Sequence, residues 1–147
     1  NKLRRTLPLV TLIHSVDSLR LIQAIEAEAQ PESRTVDCLL EVNVSGEKAK
    51  HGLAPSEVEP LIAQLRSLTR VRVSGLMGMA ALEGGSDVAW RNFAALRVLR
   101  DRLAPNCPPN ICLHELSMGM SVDCERVVEE GATIVRVGSS LFAGIDE

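Results

Sequence analysis

The sequence predicts an α/β fold in which parallel strands alternate with helices. Three observations carry that expectation. Short apolar, β-rich runs alternate five times with longer stretches of helical periodicity. The runs are unbroken, as in strands covered on both faces. Each run also closes on small or polar residues: His14-Ser15, Asn43 with Ser45-Gly46, Met77-Gly78, Ser117 to Ser121, and Gly138-Ser139. Two architectures accommodate this pattern, an open doubly wound sheet and part of a (β/α)8 barrel, both with right-handed crossovers. Strand ends that gather on one face suit the barrel. The first βα turn carries no GxGxxG fingerprint of a dinucleotide-binding open sheet. A barrel needs eight strands and five are legible, so the barrel reading implies about three strands missing on the N-terminal side.

The elements follow in order. Leu7 to Ile13 is the first apolar run, and Asp17 or Ser18 caps a helix through about Gln30, stopped by Pro31. Val36 to Val44 is the second strand. A polar loop, Glu47 to Gly52, leads to a helix whose start is read as a capping box between Ser56 and Glu59, with Pro60 tolerable in the first turn. Val71 to Met77 is the third strand, followed after Gly84-Gly85 by a helix from about Ser86 to Leu103. Ile111 to Leu116 is the fourth, then a helix from about Val122 to Glu130 with Gly131 as its stop. Thr133 to Val137 is the fifth. Residues 1–147 read as a single partial barrel domain without linker or low-complexity segment.

Composition narrows the function classes. The 147 residues are 46% hydrophobic and 24% charged, with 2% aromatics, so the core must be aliphatic. The formal net charge of −3 and the lack of a basic face argue against nucleic acid and anionic membranes as partners. No apolar run reaches the roughly 18 residues of a membrane span, and the start does not read as a signal peptide. Cys38, Cys107, Cys112 and Cys124 fit no metal or CxxC spacing and are expected as free thiols in a reducing cytoplasm. His14, His51 and His114 are dispersed, so no metal site is expected.

The last two strand ends carry the strongest chemical signal. Ser121 falls where a helix begins, and free N–H groups there suit a phosphate; capping is its ordinary alternative. Gly138 admits close backbone approach, and Ser139 offers N–H and hydroxyl donors. Arg136 interrupts the apolar run Ile134 to Val137, and a buried guanidinium needs an acceptor. That acceptor is either a ligand atom or a carboxylate such as Glu115. His14 and Asn43 are candidates to line a pocket or to make structural hydrogen bonds. Met77, Met79, Met118 and Met120 can wall it, although packing is their ordinary use. Lys48 and Lys50 are expected to be solvated in their polar loop, unsuited to Schiff-base chemistry.

Several stretches, taken together and in order, resemble the pyridoxal phosphate homeostasis family. They are His14 to Ser18, Glu41 to Glu47 with Lys50 to Leu53, Gly75 to Met77, Glu115 to Ser121, and Val135 to Ser139. The resemblance implies a pyridoxal 5′-phosphate (PLP) binding barrel of PLP fold type III, like the N-terminal domain of alanine racemase, of which this chain carries the last five βα units. It implies that Ser121, Gly138 and Ser139 hold the PLP phosphate and that Arg136 faces the pyridine nitrogen. Ser117, Met118, Asn43 and His14 complete the cofactor-binding set. It further implies a cytoplasmic protein without established turnover and without catalytic residues, balancing vitamin B6 and amino-acid pools. PLP-dependent apoenzymes would be its partners, and the full-length form a monomer. The family's Schiff-base lysine lies near its N-terminus, on the first barrel strand, and Lys2 is not its equivalent, so an N-terminally truncated fragment is expected. Phe142-Ala143-Gly144 stands where the family has Phe-Gly. The alternatives are an alanine-racemase-like enzyme, which needs a proton partner such as a tyrosine where this chain has none, and a barrel enzyme binding another phosphorylated ligand.

Overall fold

Pro8 decides how the chain enters the fold. It cannot donate to a ladder, and Leu7–Leu9 form a 3-10 turn after a short helix, α1 (Lys2–Thr6), instead of opening a strand. The first strand therefore begins later than the apolar run suggests: β1 is Leu12–Val16, with Leu9 left 83% exposed. This shift places His14 inside the strand and not in the turn after it. The structure, a computed structural model, describes residues 2–29, 35–81, 83–120, 124–142 and 144.

The remaining elements are α2 (Leu19–Glu28), β2 (Val36–Val42), α3 (Pro55–Gln64), β3 (Val71–Gly78), α4 (Gly85–Leu103), β4 (Ile111–Ser117) and α5 (Cys124–Glu129). Ser18 caps α2, its hydroxyl accepting from the Leu21 N–H at 3.4 Å. The box expected at the start of α3 does not form between Ser56 and Glu59. Pro55 opens the helix, and the Glu57 carboxylate accepts from the Ala54 N–H at 2.7 Å; the preset φ of proline at the first helical position puts the cap at Ala54, two residues before Ser56. Gly131, at φ +80°, ends the segment after α5.

All strand pairs are parallel, in the order β1-β2-β3-β4. The fifth strand expected at Thr133 to Val137 is reduced to one bridge, Ser117 with Ile134. The reason is local. Backbone groups of Leu116 are taken up by Thr133: its N–H and hydroxyl both engage Leu116, and the hydroxyl also meets the Glu115 carboxylate. Two bonds are left to Ile134: its N–H donates to the Leu116 carbonyl, shared with Thr133, at 3.2 Å, and its carbonyl accepts from the Met118 N–H at 3.1 Å.

Alternation along the strands separates two faces. Cys38, Leu40, Val42, Val71, Val73, Leu76, Leu113 and Leu116 face the helices and pack with Ile22, Ile25, Val58, Phe93 and Leu96 in one core. The opposite face carries Asp37, Glu41, Arg72, Met77 and Ser117. On it Arg72 holds Asp37 through two bonds of 2.7 and 2.8 Å. β3 and β4 approach so closely at Gly75 that a Cβ there would collide with the backbone of Glu115, and a register shift sits at the same place.

The sheet is curled. His14 lies on β1 and Ser117 on β4, with two strands between them. In a flat sheet three spacings would hold these strands about 14 Å apart. Yet His14 Nδ1 lies 3.0 Å from Ser117 Oγ. Two short side chains can span that separation only if the strands bend toward a common axis, as in a barrel wall.

Candidate functional site

Strand register sets one level of the curled face. Glu41 pairs with Met77, and Met77 with Ser117. Arg136 reaches this level from the segment after Ile134. Its Nη1 donates to the Ser117 carbonyl at 3.2 Å and to Ser117 Oγ at 2.7 Å, and its Nη2 donates to the Gly78 carbonyl at 3.0 Å. The guanidinium therefore ties the tips of β3 and β4 together. Glu115, the carboxylate considered for it on sequence grounds, is engaged with Thr133 instead. A guanidinium has five N–H donors. Three are used here, which leaves Nε–H and one Nη2–H without an acceptor among the described residues.

Ser117 is fully buried at 0% exposure and links two groups. Its hydroxyl oxygen accepts from Arg136 at 2.7 Å and lies 3.0 Å from His14 Nδ1. Burial, reinforced by the positive charge of Arg136, holds the His14 pKa below its ordinary value of 6.5 and so favours the neutral imidazole, whose Nδ1 can accept the Ser117 proton. Burial pulls the Arg136 pKa down as well, and the carboxylate of Glu41 opposes the shift.

Two of the other expected site residues, Asn43 and Met118, are engaged elsewhere. Asn43 is spent on its own loop: its carbonyl accepts from the Gly46 N–H at 3.0 Å and from Ser45 Oγ, and its amide donates to Glu47 O at 2.9 Å. The loop is closed by Leu53, which bonds backbone to backbone with Glu41 and Asn43. Gly52 is required there, at φ +109°, because a Cβ would lie 2.8 Å from the Asn43 nitrogen. Met118 is fully buried in the core on the helix side, since strand alternation sends it away from the curled face. Lys50 is not solvated: its side chain is 15% exposed, paired with Glu47 and donating to the Ala80 carbonyl, because the Asn43 loop folds it inward. Ser121 lies outside the described residues. At Gly138 the space where a Cβ would stand is open, and the backbone turns at Ser139–Leu141.

One residue of this region carried no sequence signal, and a second was passed over. Asn92, on α4, donates to the Val44 carbonyl at 3.2 Å and accepts from the Ala81 N–H at 2.9 Å, bracing the loops after β2 and β3. Glu41, in an apolar run, is buried at the level of Ser117. An apolar groove of about 730 Å³ lies beside these loops, lined by Met79, Met120, Phe93 and Lys50 among others. Among the described residues no cluster of three or more metal-ligating side chains occurs, and no helix is long and apolar enough to cross a membrane.

A curled parallel sheet with helices on its outer face and polar side chains gathered at the carboxyl ends of its strands defines a (β/α)-barrel segment. Residues 3–146 match the family model of the alanine racemase N-terminal domain, and the chain belongs to that family. The pyridoxal phosphate homeostasis protein of Aquifex aeolicus is 43% identical over 143 residues, 97% of this chain and 61% of that protein. Its counterpart in Pseudomonas aeruginosa is 37% identical over 91% of this chain and 56% of its own length. The chain thus spans about 61% and 56% of these two curated relatives. The structure of PipY from Synechococcus elongatus solved with PLP bound superposes with a TM-score of 0.85 at 33% identity, covering 97% of this chain and 66% of that one. Alanine racemase of Clostridium difficile, at 17% identity and a TM-score of 0.71 over 95% of this chain and 38% of its own, shares the fold.

Proposed function

We propose that this chain is the part of a PLP-binding homeostasis protein that grips the cofactor's ring nitrogen and phosphate, holding PLP for intracellular vitamin B6 and amino-acid balance without rapid turnover. The observation that carries the reading is Arg136. Its guanidinium lies inward over the strand tips, anchored on Ser117 and Gly78, with two N–H groups left for a ligand acceptor. An unprotonated pyridine nitrogen fits that demand. Ser121, Gly138 and Ser139 would hold the phosphate at the neighbouring tips, and the open space beside Gly138 leaves room for it. PLP supplies an electron-withdrawing ring when bound, and an arginine at the ring nitrogen weakens that electron sink, which suits a carrier better than a carbanion-forming enzyme. The chain's own groups do the rest. Ser117 and His14 fix Arg136 in one orientation, and Asn92 holds the flanking loops.

The names of the curated relatives, and the PLP bound in PipY, support the ligand. The reading includes non-covalent binding. The lysines of this chain are Lys2, Lys48 and Lys50, and the ammonium of Lys50 is occupied by Glu47 and Ala80. PLP-dependent apoenzymes would receive the cofactor. The test is titration with PLP followed by absorbance, then borohydride treatment and peptide mapping, with a sugar phosphate as competitor. Saturable binding is expected, weakened about 10- to 100-fold in Arg136→Ala, the loss of a charged hydrogen bond, with no reduced lysine adduct. A specific lysine adduct would refute the non-covalent reading. Protection by the sugar phosphate equal to that by PLP would assign the mouth to another phosphorylated ligand.

A further inference from the structure

Glu41 is a carboxylate in an unusual position. It is 7% exposed, on a strand of otherwise apolar neighbours, at the level of Met77 and Ser117. Among the described residues neither a hydrogen bond nor an ion pair within 4.0 Å reaches its oxygens. No fully buried side-chain oxygen lacks a partner among the described residues, so the oxygens of Glu41 keep some exposure. Buried carboxylates are ordinarily paired. This one is left for whatever enters.

Its charged surroundings are mixed. Asp17 faces it from the turn before α2, His51 from the loop after β2, and Arg136 from the segment after Ile134. β3 and β4 contribute uncharged Met77 and Ser117 at the same level. Arg136 in turn has Glu41 as the acidic group acting on it. Register sets Glu41 at the level of Ser117, the residue that holds Arg136, and among the described residues no ion pair within 4.0 Å joins the two charges.

We propose that Glu41 is the counter-charge of Arg136 and that its protonation sets how strongly the mouth holds an anionic ligand. Ionised, it offsets the guanidinium and repels an incoming phosphate ester. Protonated, it leaves the positive charge of Arg136 uncompensated and offers a hydrogen-bond donor. Binding of an anion therefore takes up a proton at Glu41, and affinity rises as pH falls. Burial, then Asp17, raise the carboxyl above its ordinary value of 4.5, while His51 and Arg136 oppose the rise. Glu41 acts through Arg136 and is a positioning residue. The inference rests on the PLP reading for the identity of the ligand but not for the coupling of the two charges.

Two measurements separate those parts. The first is ¹³C carboxyl NMR of the ligand-free chain, assigned by the signal lost in Glu41→Gln. The Glu41 midpoint is expected to move up in Arg136→Gln and to stay in place in Arg136→Lys; no movement in Arg136→Gln would overturn the pairing. The second is the pH dependence of PLP affinity. It is expected to be flatter in Glu41→Gln than in the native chain, by up to about tenfold in affinity for each unit by which the ligand moves the Glu41 pKa. Identical pH profiles would overturn the ligand coupling. Failure of PLP to bind at any pH would instead sink the PLP reading, and the NMR result would still decide the charge pairing.

Discussion

At the scale of single residues, the site turns on one buried hydroxyl. Ser117 accepts from Arg136 and serves His14, so three residues from β1, β4 and the closing segment share one chain of hydrogen bonds. The consequence is a histidine that resists protonation. Because the folded pKa lies below 6.5, the stability that neutral His14 contributes is fully present above that pH. It is lost as pH falls from 6.5 toward the folded value, where the unfolded chain takes up the proton first. Imidazole NMR should therefore show His14 titrating below 6.5. Arg136→Gln should raise the midpoint by removing the repulsion, though not to the ordinary value, since burial is the larger cause. A midpoint insensitive to that substitution would mean that the guanidinium and imidazole do not sense each other. The sequence announced Arg136 because a charge inside an apolar run is conspicuous. For Asn43 it left pocket lining and structural hydrogen bonding open, since a side chain's local turn bonds are settled only where the backbone returns at Leu53.

At the scale of elements, helices were more legible than strand boundaries. Helical periodicity runs over many residues, and α2 and α4 appear where it places them. Strand ends depend on partners: Pro8 moves β1 forward, and Thr133 reduces the fifth strand to a bridge. One joint between elements had no sequence signal at all. The Glu26 carboxylate, near the end of α2, accepts from the N–H groups of Thr69, Arg70 and Val71 at 2.9, 3.0 and 2.9 Å, and from the Thr69 hydroxyl at 3.0 Å. It thus seats the start of β3 against the helix. Partial burial favours its neutral form, but those hydrogen bonds outweigh burial and hold the pKa below 4.5. A carboxylate with a depressed pKa stabilises the fold above its unfolded value and loses that contribution as pH falls through the folded one. Glu26→Ala is expected to cost about 1–3 kcal/mol in urea unfolding near neutrality. The gap from the native chain should narrow progressively below pH 4.5. A gap that stays constant into acid would show that the carboxylate's charge contributes nothing.

At the scale of the whole molecule, the α/β class was legible because unbroken apolar strands admit few alternatives, and small strand ends pointed to the barrel. The barrel reading implied a curved sheet, but not which side chains meet across it: the contact of His14 with Ser117 joins strands whose relative placement sequence does not give. Among the described residues, β1 pairs with β2 on one side and with no strand on the other. At the far end, beyond the Ile134 bridge, Leu141 and Phe142 are 64% and 69% exposed. An unpaired strand edge and a contiguous exposed apolar segment both invite association. The modest net charge of −3 opposes it only weakly. Sedimentation velocity over a wide concentration range should therefore show a weight-average coefficient that climbs with concentration. The double substitution Leu141→Lys with Phe142→Lys should reduce the climb without lowering the melting temperature, because neither side chain is packed. If the coefficient stays flat for the native chain and unfolding is a single cooperative transition, the curled sheet is self-sufficient and its edge is harmless. If the climb persists in the double variant, the free edge of β1 carries the association by itself.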